Sequence, residues 1–178
     1  MINFIGGFCM EMKKTKKLTM AAMFVAIGVV LGNIIYIPVG VSKCFPIQHA
    51  INVLAATILG PAYSVMIAFS ISLLRNILGT GSLLAFPGSM IGALLAGMIY
   101  KYTQNVYKAS IGEVFGTGVI GGMMAFPVAK YFMGKEVATF FFVYPFILSS
   151  VGGSIIAVVL IKVLDKYTKT QARANEEK

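Results

Sequence analysis

IQHAINVLAATILGPAYSVMIAFSISLLRNIL, residues 47–78, decides how this chain folds. As one straight helix the stretch would measure about 48 Å, against about 30 Å for the hydrocarbon core of a bilayer. It must therefore break. Gly60-Pro61 lies near its middle, and that dipeptide marks a turn. The reading is two short helices, Ile47–Leu59 and Ala62–Leu78, folded back on each other.

Composition says why the bilayer is the yardstick. Of 178 residues, 58% are hydrophobic and 12% charged, against roughly 45–50% and about 25% in soluble domains. A water-soluble globule of this size cannot cover its surface with so few polar groups. The hydrophobicity excludes disorder, two cysteines exclude a disulfide scaffold, and the length excludes a multi-domain enzyme.

Four more apolar runs flank the central stretch. Leu18 to Ile37 follows Lys13, Lys14, Lys16 and Lys17 and stops at Pro38, whose ring and missing N–H disfavour further helix. After the Gly79-Thr80-Gly81-Ser82 loop a fourth run, with Pro87 near its start, reaches Tyr100. The fifth spans about Ala109–Ala129 and the sixth about Val137–Ile161. With six spans and the N-terminus inside, positions 13, 14, 16, 17, 101, 108, 162, 166, 169, 173 and 178 place eleven of the 15 Lys and Arg on the cytoplasmic side. Lys43, Arg75, Lys130 and Lys135 fall outside. A five-helix reading reverses the bias. Seven of the eight tyrosines fall near span ends, as an interfacial belt requires.

The expected architecture is an all-α, integral-membrane six-helix bundle with both termini cytoplasmic, in the cell membrane. Residues 1–17 form an N-terminal cytoplasmic segment, 18–164 the bundle and 165–178 a C-terminal tail. The first twelve residues are too short to cross and lack a small-residue cleavage site, so no cleaved signal peptide is expected. Cys9 inside and Cys44 outside exclude a disulfide between them. The net charge of +9 is read as topology, with no nucleic-acid partner.

Chemical motifs mostly dissolve on inspection. Gly116-Thr117-Gly118-Val119-Ile120-Gly121 satisfies G-x-G-x-x-G, yet it sits inside an apolar run, where glycines let backbones approach closely. There is no Walker sequence, no G-x-S-x-G and no H-E-x-x-H, and one His with one Asp cannot build a hydrolase or metal centre. No enzyme activity, cofactor or metal is expected.

What remains is polarity placed where polarity is expensive. Lys43, Gln48, His49 and Asn52 lie at the outer start of the second span, the last three on one flank by helical spacing. Arg75 and Asn76 close the third span, and Thr80, Ser82, Phe86 and Ser89 lead into the fourth. Three consecutive elements thus bring hydrogen-bonding groups to one depth near the outer leaflet, which suits capture of a small molecule. Phe45, Phe86 and Phe126 are candidate walls, whereas Phe140-Phe141-Phe142 reads as a lipid contact. Each polar residue also has a plain reading: Arg75 snorkelling to headgroups, His49 bonding a carbonyl, Gln48, Asn52 and Asn76 as interhelical glue. Glu113, by counting, enters a turn from the inner interface. Snorkelling, a helix-terminus role and a ligand or proton role all stay open for it.

Lys43-Cys44-Phe45-Pro46-Ile47-Gln48-His49 with Asn52, Arg75-Asn76-Ile77-Leu78-Gly79-Thr80-Gly81, Leu84-Ala85-Phe86-Pro87-Gly88-Ser89-Met90-Ile91-Gly92-Ala93, Gly112-Glu113-Val114 and Gly116-Thr117-Gly118 resemble the ThiW-type S-components of energy-coupling factor transporters, over about residues 13–165. The resemblance implies a substrate-binding subunit for the thiamine precursor hydroxyethylthiazole, working with a transmembrane coupling subunit and two cytoplasmic ATPases. Ala22 and Ala26 match the family's small-residue motif for docking to the coupling subunit. A ligand of about nine heavy atoms, at about −1.5 kcal/mol each at best, binds at nanomolar concentration only if nearly every atom is enclosed. Arg75 and Lys43 exceed the needs of a neutral ring, which leaves a phosphorylated or anionic ligand open. The rivals are an S-component for another vitamin or precursor, a stand-alone proton-coupled carrier using Glu113, and a structural membrane protein.

Overall fold

The computed structural model describes residues 12–39, 42–134, 138 and 140–176. Cys9, Lys135, Glu136, Val137 and Lys178 lie outside them, as do the side chains of Lys43, Lys169 and Arg173.

The fold is all-helical. Helix α1 (Lys14–Ile34) is followed by a short antiparallel pair, β1 (Ile37–Val39) and β2 (Ser42–Cys44), with Pro38 opposite Lys43. Then come α2 (Pro46–Ile58), α3 (Pro61–Ile77), α4 (Ala85–Thr103), α5 (Val106–Phe132) and α6 (Val143–Glu176). Among the described residues, three rods are long and apolar enough to cross a membrane by length and composition: α1, α5 and the Val143–Thr168 part of α6.

The predicted break falls where the turn chemistry put it. Gly60 adopts φ +89°, a left-handed value open to glycine, and Pro61 opens α3 with its φ already helical. Pro46 opens α2 in the same way. Gly79 (φ +71°) ends α3 and starts the loop to α4. Asn105 caps α5, its side-chain oxygen accepting from the backbone N–H groups of Tyr107 (2.9 Å) and Lys108 (3.2 Å).

Helix α2 is the axis of the molecule. All but two of its residues are buried, including Gln48, His49 and Asn52, and it packs against α1, α3, α4, α5 and α6. Because protein rather than lipid surrounds it, 13 residues suffice.

Helix α5 is not uniform. Its first α-helical part, Val106–Val114, widens into π turns over Phe115–Gly121, returns to α geometry over Gly122–Pro127 and widens again over Val128–Phe132. Pro127 has no N–H for the preceding turn, which accounts for the second widening. The first carries the G-x-G-x-x-G segment, and its glycines face neighbouring helices. A methyl on Gly121 would collide with Gly88 Cα, and one on Gly116 would come within 2.8 Å of Gly92 Cα. This is backbone-to-backbone packing of α4 and α5.

Candidate functional site

Where α1 and α3 finish and α2, α4 and α6 begin, the bundle encloses a cavity of about 580 Å³, within the range of small-molecule sites. Eight side chains singled out in the sequence line it: Phe45, Gln48, His49, Arg75, Asn76, Thr80, Ser82 and Ser89. Helical spacing brought Gln48 and His49 to this end of α2, and the α3–α4 loop folds Thr80 back over the helix that carries Arg75.

Arg75 is 1% exposed. Its Nη1 donates to Gln48 Oε1 (2.8 Å), Nη2 to the Thr80 carbonyl (3.3 Å) and Nε to Asn33 Oδ1 (3.4 Å). The guanidinium carbon sits 3.8 Å from the Phe45 ring centroid, a cation–π contact. Gly32 of α1 faces the guanidinium, and a methyl there would make ordinary contact with it at 3.6 Å. A snorkelling arginine would hold its head in headgroup water; this one is drawn inward. The network continues from Gln48 Nε2 to Ser72 Oγ (3.0 Å), which lies 3.1 Å from Ser89 Oγ. Asn76 donates to the carbonyls of Ser72 (2.7 Å) and Ser82 (3.1 Å), pinning the loop.

Directly beneath lies a second cluster. Glu113 is fully buried, which excludes the snorkelling reading of this carboxylate. Its carboxylate is roofed by α2 and α4. Its Oε1 lies 2.9 Å from His49 Nδ1, 3.1 Å from Asn52 Nδ2 and 2.9 Å from Thr117 Oγ1. Asn52 also donates to the Ser89 carbonyl (3.1 Å), and Thr117 Oγ1 lies 3.1 Å from that of Gly88. Glu113 Oε2 and Asn52 Oδ1 are buried without a hydrogen-bond partner. Such an orphan costs about 1–3 kcal/mol, so stability alone gives no reason for a carboxylate here. Asn52 and Glu113 therefore do not line the cavity, but support His49, which does.

Other expectations are displaced. Phe86 does not line the cavity, and its ring stands 5.7 Å from that of Phe69. Phe126, also expected as a wall, is absent from the lining and lies under Lys130 Nζ at 5.9 Å. Lys43 lies in β2, its side chain outside the described residues. The Phe140–Phe142 run divides: Phe140 is 66% exposed, whereas Phe141 and the buried Phe142 form cavity wall with Phe146. Asn33, Tyr36, Ser72, Pro145 and Ser149 also line the cavity and were not singled out in the sequence as site residues, and Thr117, quoted there only within a glycine motif, joins them. Ser149 Oγ accepts from the Phe45 N–H (2.8 Å), tying the start of α6 to the entrance of α2.

The result is a polar floor and flank under aromatic walls, with Arg75 the only Lys, Arg, Asp or Glu among the described lining residues. A small heteroaromatic molecule carrying hydrogen-bonding groups suits such a lining. Among the described residues, no group of three or more His, Cys, Asp or Glu is placed to hold a metal.

The fold has a solved counterpart. The chain matches a structure titled "Structure and mechanism of the S component of a bacterial ECF transporter" with a TM-score of 0.75 at 20% identity, covering 88% of this chain and 99% of that one. No curated protein sequence matches it. A family model described as thiamine-precursor transporter protein (ThiW) matches residues 18–167. The chain therefore belongs to the ThiW family of thiamine-precursor transporters and is a multi-pass protein of the cell membrane with a transport rather than an enzymatic role.

Proposed function

We propose that this protein is the substrate-binding subunit of an energy-coupling factor transporter and that it captures hydroxyethylthiazole from the outer side of the membrane. In this reading all six helices are held in the bilayer, both termini are cytoplasmic, and transport requires a transmembrane coupling subunit and two cytoplasmic ATPases. The observation that carries the reading is the cavity itself, which joins Phe45, Phe142 and Phe146 to Arg75, Gln48 and His49 at one end of the bundle. The thiazole ring takes the aromatic walls. Its nitrogen takes a donor from the Arg75 side, and its hydroxyethyl arm reaches the polar floor near His49 and Ser89. At about 580 Å³ the space exceeds a ligand of about nine heavy atoms, so the α3–α4 loop closes over it with Phe141 and Phe142.

Isothermal titration of the purified protein tests this. The expected result is one-to-one binding of hydroxyethylthiazole with a nanomolar Kd. Co-purification of a ligand with the mass of riboflavin or biotin, or silence toward the thiazole, refutes the assignment. Burial of Glu113 favours one rival, the proton-coupled carrier. Uptake that survives a protonophore but stops when the partner ATPases are inactivated removes it.

A further inference from the structure

We propose that Glu113 is a positioning residue, which makes His49 a hydrogen-bond acceptor for an alcohol on the substrate. The inference rests on the thiazole-alcohol reading above and names the atom that recognises the alcohol.

Three polar groups converge on Glu113 Oε1: Asn52 Nδ2, Thr117 Oγ1 and, at 2.9 Å, His49 Nδ1. The hydrogen of the imidazole therefore sits on Nδ1 and points down, away from the cavity. Asn52 Nδ2 and Thr117 Oγ1 lie within hydrogen-bond distance of the same oxygen, and no acceptor among the described residues faces the far side of the ring, so a single hydrogen, on Nδ1, meets the contacts present. His49 lines the cavity, and its Nε2 has no partner among the described residues. In this tautomer Nε2 is a bare lone pair, able to accept and unable to donate. The matching substrate group is a hydroxyl. A methyl ether offers no hydrogen, and a phosphate ester puts an oxyanion against the lone pair. Arg75 supplies the opposite sense: three of its N–H groups are taken by Asn33, Gln48 and Thr80, and the rest of the guanidinium fork, all donor, serves the ring nitrogen.

The chain contains a single histidine, so ¹⁵N-histidine labelling, with purification through a tag lacking histidine, gives an NMR signal that needs no assignment. The expected spectrum shows Nδ1 protonated and Nε2 bare, with Nε2 shifting on addition of hydroxyethylthiazole and not of its methyl ether. The ether should bind about tenfold to a hundredfold more weakly, as expected for an acceptor left unmet. Glu113→Gln keeps an acceptor oxygen and should retain both the tautomer and the alcohol preference. Glu113→Leu should move the hydrogen to Nε2 and abolish the preference. An Nε2–H or doubly protonated ring in the wild-type protein, or equal binding of alcohol and ether, overturns the inference and leaves the thiazole assignment standing. Failure to bind either compound refutes both. Should Glu113→Leu not fold, the wild-type and Glu113→Gln measurements decide the matter alone.

Discussion

Arg75 shows what one buried charge demands of its neighbours. Its fork reaches three acceptors on α1, α2 and the α3–α4 loop, a planar geometry that a lysine ammonium cannot reproduce. Arg75→Lys should therefore weaken hydroxyethylthiazole binding by about tenfold or more, or about 1.4 kcal/mol, in titration calorimetry. Gly32→Ala beside it should be near neutral, because the added methyl makes ordinary contact with the guanidinium. Cys44, in the connection before α2, is 2% exposed, and its thiol donates to the Pro145 carbonyl at 3.1 Å. Burial raises its pKa above the ordinary thiol value, so at any given pH less of the reactive thiolate is present. In a Cys9→Ser background, maleimide should label native protein at pH 8 on the order of tenfold more slowly than denatured protein. Comparable rates would contradict the buried position. The residues legible in advance were those with costly chemistry in an apolar run, namely Gln48, His49, Arg75 and Asn76. Depth was not legible. Helical spacing puts Asn52 on the flank of His49, but only the packing of α4 and α5 shows that it stops beneath the cavity with Glu113. Phe142 and Phe146 were hidden because an aromatic facing lipid and one facing a ligand look alike in sequence.

At the scale of elements, turn chemistry and small residues carried most of the information. Gly60-Pro61, Pro46 and the glycine loop after α3 each mark a helix end. The β1–β2 pair went unread, since two three-residue strands give too short a pattern to show alternation. The π turns in α5 were equally invisible, because hydropathy does not distinguish their wider spacing from an α-helix. Adjacent glycines on α6 allow a sharp test of the packing. A methyl on Gly152 would meet Pro46 at 3.6 Å, an ordinary contact, whereas one on Gly153 would lie 2.6 Å from His49 Cβ and 2.8 Å from the Ala50 nitrogen. Gly152→Ala should leave the melting temperature in detergent unchanged. Gly153→Ala must push α2 away from α6, which should cost about 1–3 kcal/mol of stability and weaken ligand binding. Equal melting temperatures would show that the α2–α6 contact yields.

For the whole molecule the central question is which face meets a partner, and α1 is the element least committed to the bundle. Of its residues only Ala21, Gly28 and Gly32 are buried. Leu18, Ala22, Ala26 and Val30 recur every fourth residue, so they form one stripe along the helix, and all four are exposed. Large apolar residues on that stripe suit lipid as well as protein, but two alanines in its middle lower the surface enough for another helix to approach closely. Had they served internal packing, they would be buried, as Gly28 is against Ile71 and Ile51. None of the four is among the buried residues of α1, so bulk added there need not disturb the cavity. Ala22→Leu with Ala26→Leu should accordingly preserve the Kd for hydroxyethylthiazole within about twofold while reducing co-purification with the coupling subunit and transport together, as expected for a docking surface whose close approach is blocked. If the double variant assembles and transports normally, the stripe faces only lipid. If it loses ligand affinity or melts early, the two alanines belong to the bundle and the docking assignment fails.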